Sequence, residues 1–120
     1  MSTDGTGPSQ RRYFRAAVHF PVSLTPEEGQ AVVSGVVEDL SGGGMRVTTA
    51  GELSPGQTVS LRFTLPEGSS EMMVRGRIVL SFYEAAKKHY AHGLAFTQIA
   101  EPDQKKIVEY IHELQQRART

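Results

Sequence analysis

Two short stretches carry side chains suited to holding an anion. Arg11-Arg12-Tyr13-Phe14-Arg15 places three guanidiniums and two aromatic rings in five residues, with no acid among them. Such a segment binds phosphate and stacks on flat rings. Asp39-Leu40-Ser41-Gly42-Gly43-Gly44 offers complementary chemistry. A guanidinium forks onto guanine O6 and N7 or onto a phosphate. A carboxylate accepts from the guanine N1 and N2 donors, a pair that adenine lacks. The Ser41 hydroxyl can bond to phosphate or base, and the glycines permit positive φ, a tight reversal and close approach of a ligand to the backbone. Taken singly, the first stretch also reads as a solvated terminus and the second as a structural turn.

The elements that must position these residues follow from hydrophobic period. Ala16, Val18, Phe20, Val22 and Leu24 alternate with Ala17, His19, Pro21, Ser23 and Thr25, the pattern of a half-buried strand. Arg15 falls on the polar side, and Pro21 marks an edge or a bulge. After the turn at Thr25-Pro26-Glu27-Glu28-Gly29, the β-branched run from Ala31 to Val37 predicts a second strand. Its alternation sends Asp39 and Ser41 to one side and Leu40 to the other. Met45, Val47 and Thr49 resume a third strand, and Val59, Leu61, Phe63 and Leu65 a fourth. Pro66 to Ser70 closes a hairpin. Met72, Val74, Gly76, Ile78, Leu80 and Phe82 then share one face, opposite Glu71, Met73, Arg75, Arg77 and Val79. Lys87 and Lys88 lie in a connection, and Tyr90, His92, Leu94 and Phe96 suggest a last strand. Six short-linked strands in a chain of this length favour a closed antiparallel β-barrel, which limits exposed edges.

The period then changes. Ile107, Tyr110, Ile111 and Leu114 recur at the spacing of one helical face, with Pro102 and Asp103 suited to the first turn. The fold class is therefore mainly β, a six-stranded antiparallel barrel with a C-terminal α-helix. A flexible leader is expected over 1–9, because its Ser, Thr, Gly, Asp and Pro cannot bury enough apolar surface to offset ordering. A single domain is expected over 10–120, since 120 residues with 38% hydrophobic content build one modest core.

Composition narrows the function. A formal net charge of zero argues against coating nucleic acid or an anionic membrane, which depends on releasing many counterions. Without cysteine there is no disulfide framework or thiolate metal site. No apolar run reaches membrane-spanning length, so the reading is a cytoplasmic chain without direct membrane insertion. His89 and His92 are three apart on a strand and point to opposite faces, which disfavours a metal site. Ser41 lacks the glycine two residues earlier that a nucleophile elbow requires, that position being Asp39. The reading is of a non-enzyme without cofactor.

Arg11 and Arg15 match the RxxxR motif, and Asp39, Ser41 and Gly44 match the D/N-x-S-x-x-G motif, of the PilZ domain family. The chain resembles that family from about Gln10 to Gln116, including His92-Gly93-Leu94-Ala95-Phe96 as its final strand. The resemblance implies a six-stranded β-barrel receptor for the bacterial second messenger cyclic di-GMP, clamped on the outer barrel surface. Carried over, Arg11 and Arg15 contact guanine and phosphate, Asp39 a guanine edge and Ser41 a polar ligand atom, while Gly44 keeps the turn open. Arg12, inside the first motif, and Gly43, inside the second, complete the ligand set. Gln10, ahead of the first arginine, supplies no further guanidinium and favours one ligand per chain. The signal is expected to pass to an unidentified downstream protein partner as the ligand orders the arginine loop. The alternative is a protein-interaction module of the same fold with little or no nucleotide affinity.

Overall fold

Each alternating run becomes a strand because one face can be buried only by closing the sheet on itself. The strands are β1 (Ala16–Pro26), β2 (Val33–Ser41), β3 (Gly44–Thr49), β4 (Thr58–Thr64), β5 (Glu71–Glu84) and β6 (His89–Gln98), followed by helix α1 (Glu101–Arg119). The computed structural model describes residues 13–28, 31–68 and 70–119. The expected leader at 1–9, Gln10, Arg11 and Arg12 lie outside these. Neighbouring strands are antiparallel, and the order β1-β2-β3-β6-β5-β4 closes into a barrel.

Inward side chains fill the interior: Leu24, Val37, Leu40, Val47, Val59, Leu61 and Ile78 are fully buried. One end of the barrel is covered by α1, whose Ile107 and Ile111 join the same core. Gln104 Nε2 also donates to the Gly42 carbonyl at 2.9 Å, fastening the helix to the β2–β3 turn. Near the other end of α1, both Nη atoms of Arg117 reach Glu67 in the β4–β5 hairpin, at 3.0 and 3.3 Å. Among the described residues no helix is long and apolar enough to cross a membrane.

Of the four register shifts among the described residues, three bear on where core and site side chains point. β1 shifts between Ala17 and Phe20, and Pro21 precedes the β4 ladder, which begins at Ser23. Its missing donor is therefore not needed on that side. A shift between Val37 and Asp39 makes Glu38 the extra residue on β2, so Val37 and Leu40, three positions apart, are both buried. The third shift corrects the sequence reading. Leu80 and Phe82 were expected to continue the core face of β5, but they are 56% and 44% exposed. The ladder with β6 slips between Ile78 and Leu80, and one extra residue exchanges the two faces of a strand. Val79, Leu80, Phe82 and Tyr83 thus form an exposed apolar stretch.

Candidate functional site

The two chemistry-bearing stretches meet at one end of the β1–β2 pair. Ala17 on β1 stands opposite Asp39 on β2, which brings Arg15, just before β1, to the same place. Arg15 Nη1 donates to Asp39 Oδ2 at 3.2 Å, and the two side chains are 46% and 30% exposed. The result is a paired guanidinium and carboxylate on the outer surface, both open to an incoming ligand.

Beside them is the turn from β2 to β3. Ser41 pairs with Gly44, so Gly42 and Gly43 form a two-residue reversal. The Gly43 N–H donates to Ser41 Oγ at 3.1 Å, and that hydroxyl donates to the Gly44 carbonyl at 3.3 Å. The Phe96 N–H donates to the Gly43 carbonyl at 2.9 Å. With the Gln104 bond to Gly42, the turn is tied to both β6 and α1. It is a fixed platform.

Two of its glycines sit in crowded places. Neither Gly42 nor Gly44 adopts a left-handed φ, but a Cβ on Gly44 would run into the Leu94 carbonyl oxygen, and one on Gly42 would lie 2.6 Å from the Tyr13 ring. Tyr13, inside the arginine segment, therefore packs its ring on the glycine turn. Phe14 next to it is 75% exposed. Together with Val108, Ile111, His112 and Gln115 of α1 they border a hollow of about 230 Å³.

Of the residues singled out from sequence, the structure brings together Arg15, Asp39, Ser41, Gly43 and Gly44, while Arg11 and Arg12 lie outside the described residues. The register is regular from Asp39 to Ser41, yet the two side chains differ in exposure. Asp39 is partly exposed, whereas Ser41 is fully buried with its hydroxyl engaged inside the turn. Arg75 on β5 pairs with Glu27 at 2.7 Å. His92 is buried between Thr49 and Ser81, and His89 faces Glu84. Among the described residues no group of three or more His, Asp and Glu is arranged to hold a metal.

Two neighbours of the site escaped the sequence reading. Gln104 is one, since a polar helix residue carries no sign of the turn it will reach. Arg46 is the other. It stands opposite Asp39 on β3, a register that follows once Gly42-Gly43 is recognised as a two-residue reversal.

A family model for the PilZ domain matches residues 9–113. The chain belongs to the PilZ domain family. Comparison with curated proteins gives no match, but solved structures share the fold. The inhibitor of motility MotI/DgrA of Bacillus subtilis superposes with a TM-score of 0.80 at 24% identity, over 92% of this chain and 53% of its own. The present chain thus spans about half the length of that protein. The PilZ domain of YcgR from Escherichia coli, solved with c-di-GMP, gives 0.67 at 16% identity, covering 92% of this chain and 95% of that one. The PilZ domain of CeSA from a cellulose-synthesizing bacterium gives 0.62 at 23% identity, covering 85% and 98%. At these identities the PilZ likeness is one of fold, and the chemistry of the site rests on this chain's own residues.

Proposed function

We propose that this chain is a non-enzymatic receptor for cyclic di-GMP. The observation that carries this reading is the Arg15–Asp39 contact, which joins the RxxxR segment to the D-x-S-x-x-G turn on one exposed surface. Family relatives solved with that ligand, the YcgR domain among them, support the choice of nucleotide. In the proposed complex Arg11, Arg12 and Arg15 take phosphate oxygens and guanine acceptors, and Asp39 takes the guanine N1 and N2 donors. Gly43 lets the ligand lie close to the backbone, while Gly44 keeps the turn seated against the Leu94 carbonyl. Ser41, buried as it is, contributes by shaping that backbone. Ligand binding draws the arginine segment onto the fixed turn, and a downstream protein reads the ordered segment.

Calorimetric titration with cyclic di-GMP, run beside GTP and cyclic di-AMP, tests the reading. Binding is expected for cyclic di-GMP alone. Arg15→Ala and Asp39→Ala should each weaken it by about tenfold or more, because the first leaves a phosphate or guanine acceptor, and the second the guanine N–H donors, without a partner. No heat at micromolar protein would sink the receptor reading. It would favour the interaction module, for which the exposed stretch of Val79, Leu80, Phe82 and Tyr83 is a ready docking face.

A further inference from the structure

Charge alternates from strand to strand across the outer face of the barrel. Arg15 bonds to Asp39 on β2, Asp39 stands opposite Arg46 on β3, and Arg46 Nη2 donates to Glu84 Oε2 at 2.9 Å at the end of β5. The other oxygen of Glu84 lies 2.5 Å from His89 Nε2 at the start of β6. Arg46 belongs to neither motif. It points outward because Met45 and Val47 on either side of it are buried. Its register partner on β6 is Gly93, and with no side chain there the guanidinium crosses β6 to reach β5.

Directly opposed residues on one face of an antiparallel pair hold their Cβ atoms about 4.5–5.5 Å apart. Arg46 therefore starts from a position next to Asp39, with a long stem able to swing back over it. We propose that Arg46 is a further arginine of the ligand surface, and that Glu84 is its resident counter-anion, which the anionic ligand displaces. This inference rests on the cyclic di-GMP reading above and concerns the regulation of that site.

Two features make the exchange favourable. The Arg46–Glu84 pair is partly exposed, at 39% and 22%, and water competes for both ends of such a pair. A phosphate offers the guanidinium a charge-assisted, two-pronged contact in return. Glu84 is also not abandoned when Arg46 leaves, because His89 remains on its second oxygen. The free protein thus stores one cation of its site on an internal carboxylate, and the affinity for ligand is set partly by how firmly Glu84 holds it.

Cyclic di-GMP titrations of the full chain, as wild type, Arg46→Ala, Glu84→Gln and the double variant, test this. Arg46→Ala is expected to weaken binding by about tenfold. Glu84→Gln is expected to tighten it by about two- to fivefold, the gain from releasing an exposed ion pair, and that gain should vanish in the Arg46→Ala background. Unchanged affinity in Arg46→Ala, no tightening in Glu84→Gln, or tightening that survives without Arg46 overturns the inference and leaves the receptor reading standing. Absence of binding by the wild type overturns both.

Discussion

Arg15 and Asp39 are separated by 24 positions in sequence and joined by a single bond of 3.2 Å on the barrel surface. The side chains are 46% and 30% exposed. Exposed pairs of this kind contribute about 0–1 kcal/mol to stability. Arg15→Ala and Asp39→Ala are therefore expected to shift the urea-unfolding free energy by less than about 1 kcal/mol while removing most of the ligand affinity. A large loss of stability in either variant would mean that the pair holds the fold together rather than offering itself to a ligand.

The glycines of the turn separate two kinds of crowding. At Gly44 a methyl group would meet the Leu94 carbonyl, which is fixed in the β3–β6 ladder. Gly44→Ala should cost about 1–3 kcal/mol or more, the range for forcing atoms into a packed interior. At Gly42 the obstacle is the Tyr13 ring, a side chain that can swing away. Gly42→Ala should leave the unfolding midpoint near that of the wild type, displace the Tyr13 ring resonances in NMR spectra and weaken cyclic di-GMP binding. Equal stability losses at the two positions would contradict this division.

The barrel was legible in the sequence because period-two alternation runs through nearly every strand, and the helix because Ile107, Tyr110, Ile111 and Leu114 change the period. The meeting of the two chemistry-bearing stretches was legible where charge marked it, at Arg15 and Asp39. What alternation cannot register is a bulge. The extra residue near Val79 turned Leu80 and Phe82 outward, and the one at Glu38 reset the phase of β2. Nor could the three consecutive glycines reveal which pair formed the reversal, and with that went the placement of Arg46 beside Asp39. The role of Ser41 lay beyond reach for a different reason: a hydroxyl bonded within its own turn has the same sequence signature as one offered to a ligand.

His92 gives the fold a predictable pH dependence. Thr49 Oγ1 donates to the Gly51 carbonyl at 2.6 Å, so its one proton is committed. His92 Nε2, 2.9 Å from that oxygen, must then carry the hydrogen, and Nδ1 accepts from Ser81 at 2.8 Å. Burial of this neutral ring holds its pKa below the usual histidine value, against a smaller opposing pull from Glu52. As pH falls below about 6.5 the unfolded chain takes up the proton first. The stabilisation from His92 is complete above that pH and is lost as pH drops through the folded-state value. In urea titrations between about pH 7.5 and 5, His92→Gln should lose less stability on acidification than the wild type. Parallel curves would show that His92 is not the titrating group.

Lys88 ends the β5–β6 hairpin in the left-handed region, at a φ of 57°, and its N–H donates to the Glu84 carbonyl at 2.8 Å. For a residue with a Cβ that conformation costs roughly 1–2 kcal/mol, part of which glycine gives back through its freer unfolded chain. Lys88→Gly is expected to raise stability by about 0.5–1 kcal/mol, measured as a higher urea midpoint at unchanged slope. A lower midpoint would show that the lysine side chain makes a compensating contact.

Ser41 decides whether the second motif touches its ligand or only shapes the surface beneath it. Its hydroxyl accepts from the Gly43 N–H and donates to the Gly44 carbonyl, and the side chain is fully buried. Ser41→Ala removes the partner of a buried amide, a change that costs about 1–3 kcal/mol, and frees the turn to sample other geometries. If the hydroxyl acts through the turn, the variant should unfold at lower urea, its Gly43 amide should exchange faster, and cyclic di-GMP binding should weaken together with that loss of order. Weakened binding with stability and Gly43 exchange both unchanged would assign Ser41 a direct ligand contact, reached only by a turn that opens as the nucleotide binds.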